Sequence, residues 1–205
     1  EKERPLHDEQ DLFSMSSKDL MAARFIPDLI QAGIASLKIE GRMKSAYYIA
    51  TLIKTYRLLI DEVYEKGNLS EERLLWYYQE LAKAENRPTA IGFYEGQPLP
   101  QAQLYGVNGA GVTQEFIAYV LAYDADTQIA TLEVRNNFKP FIEAEVFGPH
   151  ITTTRFTFAE LYDKDGKAME VAKTPMQIIT AKVPCVMEKD AMIRKVMKKD
   201  RSAIY

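Results

Sequence analysis

The stretch Ser36-Leu37-Lys38-Ile39-Glu40-Gly41-Arg42-Met43-Lys44-Ser45 carries the strongest fold signal in this chain. Apolar Leu37 and Ile39 alternate with charged residues, so 35–40 is predicted to form a β-strand with one apolar and one charged face. Gly41 is expected to permit a sharp turn from this strand into a long helix. A strand that leads directly into a helix is the repeating unit of α/β enzymes.

The charged side chains at the end of this strand form a candidate substrate site. Lys38 and Glu40 lie on the same side of the predicted strand, where they are candidates to bind or polarise a substrate, with Glu40 orienting it or exchanging a proton. Arg42, Lys44 and Ser45 crowd the start of the next helix, where unpaired amides and the helix dipole favour a phosphate or carboxylate. The alternative is a plain Lys38–Glu40 ion pair followed by a solvated basic turn.

Composition limits the class of protein. The chain has 205 residues, of which 47% are hydrophobic, which is enough to bury a core in one or two domains. A net charge of −3 argues against a general nucleic-acid binder but leaves a local basic patch open. Cys185 is the single cysteine and His7 and His150 are the only histidines, so neither an internal disulfide nor a complete Cys/His zinc site is expected.

The sequence also predicts where the protein resides. No apolar run approaches the ~20 residues that a membrane span needs, and the charged start at Glu1 is unlike a signal peptide. We therefore predict a soluble, cytoplasmic protein. The absence of an initiator methionine suggests processing or a fragment of a longer chain.

Helical periodicity dominates as far as residue 88. Pro27 predicts a short helix that ends at Gly33, 45–66 is the strongest helix prediction, and Ser70 begins a third helix. One strand and three helices cannot cover both faces of a parallel sheet, so 1–88 is predicted to be the closing βα portion of a larger barrel-like domain. Exposed apolar helix faces then predict a homodimer.

Turn residues and short alternating runs replace this pattern from residue 89 onwards. The predicted strands are 117–123, 129–135, 144–147, 155–162, 169–172 and 176–183. They indicate a small antiparallel barrel or sandwich over 89–185. Met192, Ile193 and Val196 have helical spacing among basic residues, so the tail 186–205 is predicted to end as a basic helix. The fold class is α+β, with two domains.

Several other residues are weaker candidates for chemistry. Tyrosines of the two long helices, such as Tyr48 and Tyr77, have the spacing of core residues rather than of base-stacking surfaces. His150 is predicted to lie in a loop, and Cys185 to be an inert small hydrophobe without an identifiable base. No complete catalytic constellation is recognisable in the chain.

The blocks 13–20, 26–34, 36–45, 47–51, 92–94, 134–138 and 145–149 resemble peptidase family U32, the collagenase-like proteases of bacteria and archaea. The resemblance spans 13 to about 185, and Lys38-Ile39-Glu40-Gly41-Arg42-Met43-Lys44-Ser45 is its most specific part. It implies that this chain is the C-terminal portion of a longer protein and ends in a β-barrel similar to the second domain of elongation factor Tu.

The resemblance also implies the range of activities. The main expectation is part of a U32 peptidase that is inactive alone and contributes substrate-pocket residues; the alternative is part of a protein that hydroxylates RNA bases, such as tRNA uridine. No cofactor is expected in this chain, because an iron–sulfur cluster needs several thiolates. An iron–sulfur cluster or metal is expected in the missing N-terminal half.

Two readings compete with a role in catalysis. The β-domain is a candidate binding module for RNA or a protein partner, in which Arg194, Lys195, Lys198, Lys199 and Arg201 add phosphate contacts. In the other reading it is a scaffold that only stabilises the rest of the protein.

Overall fold

A computed structural model describes residues 13–84, 88–98, 103–105 and 114–196. They form two compact units, the first containing the described residues up to 105 and the second containing 114–196. Short strands at 89–90 and 103–105 belong to the first unit, which therefore extends beyond residue 88, where the sequence pattern changes.

The first unit is mainly helical. Strand β1 (Phe13–Ser17) pairs with β4 (Gln103–Tyr105), and β2 (Asp19–Leu20) pairs in parallel with β3 (Thr89–Ala90). A 3-10 turn at Ala23–Phe25 leads into α1 (Ile26–Gln31), followed by α2 (Ala46–Lys66) and α3 (Glu71–Ala82). The buried residues that pack these elements together are Met21, Ala23, Ile26, Leu59, Val63, Tyr77 and Leu81.

The three predicted helices are confirmed, and several residues at their ends account for where they begin or end. Pro27 lies in the first turn of α1, and the hydroxyls of Ser45 and Ser70 cap α2 and α3 by accepting backbone hydrogen bonds. Gly67 ends α2 with a φ of 80°, a conformation that favours glycine. Tyr48 and Tyr77 are buried, as their helical spacing predicts.

The predicted strand at 35–40 is wrong. Residues 34–40 are in no helix or strand, and all but Ile39 are exposed, including apolar Leu37. An isolated strand leaves its backbone groups unpaired, and within the described ranges no neighbouring strand pairs with this segment. Gly41 does not have a positive φ; a Cβ there would lie 2.0 Å from Cδ1 of Ile49, so a larger residue would displace the end of that side chain.

Glu62 of α2 joins the two long helices. Its carboxylate accepts hydrogen bonds from Nη2 of Arg73 at 2.6 Å, from Oη of Tyr77 at 2.7 Å and from Nζ of Lys66 at 3.0 Å. The hydrogen bonds from Arg73 are the largest cause that lowers the pKa of Glu62 to about 2, against the opposing effect of burial. The guanidinium of Arg73 also lies 4.6 Å from the ring centroid of Trp76.

This network predicts a dependence of stability on pH. The pKa of Glu62 is lower in the folded chain than its ordinary 4.5, so the unfolded chain takes up the proton first. The stabilisation that the ionised Glu62 carboxylate provides is fully present above about pH 4.5 and is lost as the pH falls from there towards 2. Between about pH 5 and pH 3 we expect the wild type to lose about 1 kcal/mol more unfolding free energy than Glu62→Gln, since partial exposure of Arg73 and Lys66 screens the pair. Urea unfolding of both proteins measures this difference, and equal losses would contradict it.

The second unit is one antiparallel sheet of eight strands that curls into a half-barrel. Its strands are β5 (Gln114–Asp124), β6 (Ile129–Val134), β7 (Glu143–Phe147), β8 (Thr154–Thr157), β9 (Leu161–Tyr162), β10 (Ala168–Met169), β11 (Ile178–Lys182) and β12 (Met192–Val196). Their order across the sheet is β10-β9-β11-β6-β5-β12-β7-β8. Leu132, Leu161, Ile179 and Ile193 are fully buried in its single core.

The predicted basic helix at the end of the chain is wrong within the described residues. Met192–Val196 is strand β12, which pairs with β5 on one side and β7 on the other. Pairing with strands on both sides satisfies the backbone N–H and C=O groups of 192–196. This tertiary pairing overrides the helical spacing of the apolar residues. Lys198, Lys199 and Arg201 lie outside the described residues.

Arg194 of β12 is buried and ion-paired rather than available to phosphate. Its side chain is 1% exposed, and its Nε lies 2.9 Å from Oε2 of Glu145 on β7. Arg155 of β8 contacts the other oxygen of Glu145 at 3.1 Å. The guanidinium of Arg194 lies 4.7 Å from the ring centroid of Phe147. Three neighbouring strands are thus joined by one carboxylate between two guanidinium groups.

Candidate functional site

An open cleft of about 1130 Å³ lies in the first unit, along the extended segment 34–40. The segment 18–22 and one side of α2 form its other walls. Its described charged lining residues are Lys18, Asp19, Lys38, Glu40, Lys44 and Arg57. Four of these side chains are cationic and two are anionic. Arg57 also pairs with Asp61, its Nε lying 3.0 Å from Oδ2, so the cleft keeps a small positive balance in a chain whose net charge is −3.

Lys38 and Glu40 lie together at this cleft. Nζ of Lys38 is 3.8 Å from Oε2 of Glu40, and the two side chains are 86% and 75% exposed. Water solvates both groups at this exposure, so the pair contributes little to stability. Both are therefore accessible to a substrate.

Lys44 and Asp19 form the partly buried charged pair of the cleft. Nζ of Lys44 lies 2.8 Å from Oδ2 of Asp19 and 4.6 Å from the ring centroid of Tyr48. Asp19 is the first residue of β2, 25 positions before Lys44 along the chain. Asp19 is not a site residue that the sequence predicts, because only the tertiary fold brings it to the cleft.

Arg42 and Ser45 occupy different positions from the other candidates. Neither is among the described residues that line the cleft. The backbone N–H of Arg42 donates to Oε1 of Glu40 at 3.3 Å, and its side chain is exposed. The hydroxyl of Ser45 accepts from the backbone N–H of Tyr48 at 3.1 Å, so it acts as the helix cap. The structure therefore brings Lys38, Glu40 and Lys44 to one cleft and leaves Arg42 and Ser45 outside it.

Tyr56 forms part of the cleft wall that α2 provides. Its hydroxyl oxygen accepts from the backbone N–H of Ala22 at 3.1 Å, which ties α2 to the segment 18–22. Burial raises the pKa of Tyr56 to about 12, so the phenol stays neutral near pH 7. Tyr56 therefore provides a neutral hydroxyl and an aromatic ring, and it does not serve as a base near pH 7.

The remaining candidates for chemistry lie in the second unit. Cys185 is partly buried against its core, and burial raises the pKa of the thiol, which disfavours a thiolate. The backbone N–H of His150 donates to Oε1 of Glu188 at 3.0 Å, in the loop predicted for it. Across the described ranges, no three His, Cys, Asp or Glu side chains form a group that could hold a metal ion. No helix there is long and apolar enough to cross a membrane.

The first unit is mainly helical and contains the cleft, and the second unit is a β half-barrel. Comparisons with protein families match both units. The model of peptidase family U32 matches residues 1–104, and that of the peptidase family U32 C-terminal domain matches residues 112–194. The chain belongs to peptidase family U32.

Relatives of two kinds are similar to this chain. It is 41% identical over 191 residues to tRNA hydroxylation protein P1 of Bacillus subtilis, covering 93% of this chain and 45% of that protein. It is 30% identical to tRNA hydroxylation protein P of Escherichia coli, covering 88% of this chain and 39% of that protein. A collagenase of Porphyromonas gingivalis is 31% identical over 130 residues, covering 63% of this chain and 31% of that protein. The chain thus spans less than half the length of these relatives.

One solved structure is similar over part of the chain. It is the C-terminal domain of a U32 peptidase from Geobacillus thermoleovorans, 38% identical, with a TM-score of 0.40. The match covers 40% of this chain and 93% of that structure.

Proposed function

We propose that the cleft of the first unit binds RNA and that the natural protein containing this chain takes part in tRNA hydroxylation. The observation that carries the proposal is that four cationic and two anionic side chains line the cleft of an acidic chain, a positive balance that the ion pair between Arg57 and Asp61 reduces but does not remove. Cationic side chains attract the phosphate backbone, and the exposed rings of Tyr64 and Tyr94 in the same cleft suit nucleobases. The similarity to tRNA hydroxylation proteins supports this function because it extends over both units.

The candidate residues take distinct roles in this proposal. Lys38 and Lys44 hold phosphate groups inside the cleft, and Arg42 extends the cationic surface beside it. Glu40 orients the substrate or exchanges a proton, as its exposed carboxylate permits. Ser45 positions Lys44 indirectly, because it fixes the start of α2.

The residues of this chain do not fit an iron–sulfur cluster. Such a cluster is held by several cysteine thiolates, and Cys185 is the one cysteine in the sequence. We therefore propose that any cluster or metal of the natural protein is held by residues outside this chain. The same proposal places the protein in the cytoplasm, where its RNA substrate is found.

A genetic experiment tests the function. The gene for the natural protein is expressed in a bacterium that lacks its own U32 tRNA hydroxylation proteins, and hydroxylated nucleosides in digested tRNA are quantified by mass spectrometry. We expect hydroxylation to return, and to fall strongly when Arg42→Ala is introduced. An unchanged nucleoside profile in cells that contain the folded wild-type protein would contradict the proposed function.

The second candidate function is proteolysis, and the similarity to collagenase favours it. In that case the cleft binds a peptide, with the cations facing its carboxylates. Incubating the purified natural protein with gelatin separates the two candidate functions, because only a peptidase shortens the gelatin chains. Homodimerisation through exposed helix residues outside the cleft, such as Leu58 and Leu75, stays a prediction, which light scattering measures.

A further inference from the structure

A cluster of aromatic side chains lies at the edge of the cleft. The ring of Tyr94, a lining residue, stacks on that of Phe25 with centroids 4.4 Å apart and planes inclined by 12°. Phe93 is 78% exposed, the most exposed phenylalanine among the described side chains. An aromatic ring at this exposure costs free energy in water, so a ligand that covers it gains from its burial.

The turn at 92–96, which carries Phe93 and Tyr94, is held in a defined conformation. Gly92 has a φ of 60°, and a Cβ at this position would lie 2.8 Å from Cδ1 of Leu20. The backbone N–H of Gly96 donates to the carbonyl of Phe93 at 3.1 Å and closes the turn. The backbone of Leu20 pairs with β3, which immediately precedes the turn. Phe93 is therefore displayed outward by a turn attached to the wall of the cleft.

A cation completes the cluster. The guanidinium of Arg24 lies 6.0 Å from the ring centroid of Phe25 and 3.1 Å from Oε1 of Glu95. The ion pair holds the exposed Arg24 guanidinium at the turn that carries Phe93, and sites for single-stranded nucleic acid combine aromatic rings for the bases with arginine for the phosphate.

We propose that exposed Phe93, on the turn that also carries Tyr94 and Glu95, the partner of Arg24, forms a stacking platform for an unpaired base of an RNA strand that enters the cleft. The platform rests on the proposed function and adds the recognition of a nucleotide that flanks the one in the cleft. Stacking is tolerant of base identity, so the platform holds the strand in place and leaves sequence selection to other contacts. The positive balance of the adjoining cleft continues the same binding path for phosphate.

Substitutions of Phe93 in the natural protein test the platform. The probe is a fluorescently labelled, unmodified tRNA transcript, and its Kd is measured by anisotropy. We expect Phe93→Ala and Phe93→Leu to raise the Kd by about 10-fold, the effect of one lost base stack, and Phe93→Trp to keep it within about twofold. Thermal unfolding temperatures of all three variants should match the wild type, since the side chain is exposed.

The matched control is Phe141→Ala, because Phe141 is a similarly exposed phenylalanine of the second unit. It should leave the Kd unchanged. Wild-type affinity in Phe93→Leu, with a lowered unfolding temperature in Phe93→Ala, would overturn the platform and indicate that a protein segment covers the ring. If tRNA binds the wild type and all variants equally, the platform fails while the proposed function stands. If the wild type binds no tRNA, both fail.

Discussion

Replacing Glu145 by alanine is expected to lower the free energy of unfolding of this chain by about 3–5 kcal/mol. The substitution removes the anion between two guanidinium groups and leaves Arg194 charged, with only 1% of its side chain exposed. A buried charge without its partner bears the full cost of desolvation. Chemical denaturation of the 205-residue chain, followed by circular dichroism, measures the change.

Two control variants separate the buried pair from ordinary surface effects. Arg155→Met removes the other partner of Glu145, whose side chain is 54% exposed, and should cost no more than about 1 kcal/mol. The double variant Glu145→Leu/Arg194→Met removes both buried charges together and should lie close to the wild type. A loss below about 1 kcal/mol in Glu145→Ala would show that Arg194 is not desolvated as the structure indicates.

Reversing the charge of two exposed site residues is expected to have the largest effect on RNA binding. In the natural protein, Lys38→Glu/Arg42→Glu places two carboxylates where the proposal places phosphate contacts. We expect tRNA affinity to fall on the order of 10- to 100-fold at moderate salt, and the salt dependence of the remaining binding to weaken. Anisotropy titrations at several salt concentrations provide both quantities.

The matched control changes the net charge equally in the second unit, which does not contain the cleft. Lys164→Glu/Lys173→Glu alters two exposed lysines of the second unit, and it should change tRNA affinity by no more than about twofold. Equal losses in the two double variants would mean that overall charge, rather than the cleft, governs binding. That outcome would remove the assignment of the cleft as the RNA site.

Local features of the fold could be predicted from the sequence because their causes lie within a few residues. Ser45 and Ser70 cap their helices through hydrogen bonds that span three positions, and Gly67 ends α2 by its own conformation. The same holds for the turns of the β-domain, such as that at Asp124, whose carboxylate accepts from the backbone N–H groups of Asp126 and Thr127.

Features that depend on distant partners could not be predicted in this way. The alternation at 35–40 satisfies the pattern of a strand, yet a strand also needs neighbours, which the pattern does not encode. Conversely, the spacing in 192–196 fits a helix over so short a run, and only the gap between β5 and β7 makes it a strand. In the candidate site, the local motif identified Lys38 and Glu40, whereas Asp19 and the ring of Tyr94 reach the cleft from remote positions.

The position of β12 also constrains the order in which the second unit is made. Among the described strands, the last in sequence lies inside the sheet as the sixth of eight, and β7 and β8 are joined to the other described strands only through it. During synthesis on the ribosome, β5 to β11 emerge first and remain two unconnected groups with exposed edges. A ribosome that stalls before Met192 therefore releases a chain prone to aggregation rather than a slightly shortened domain.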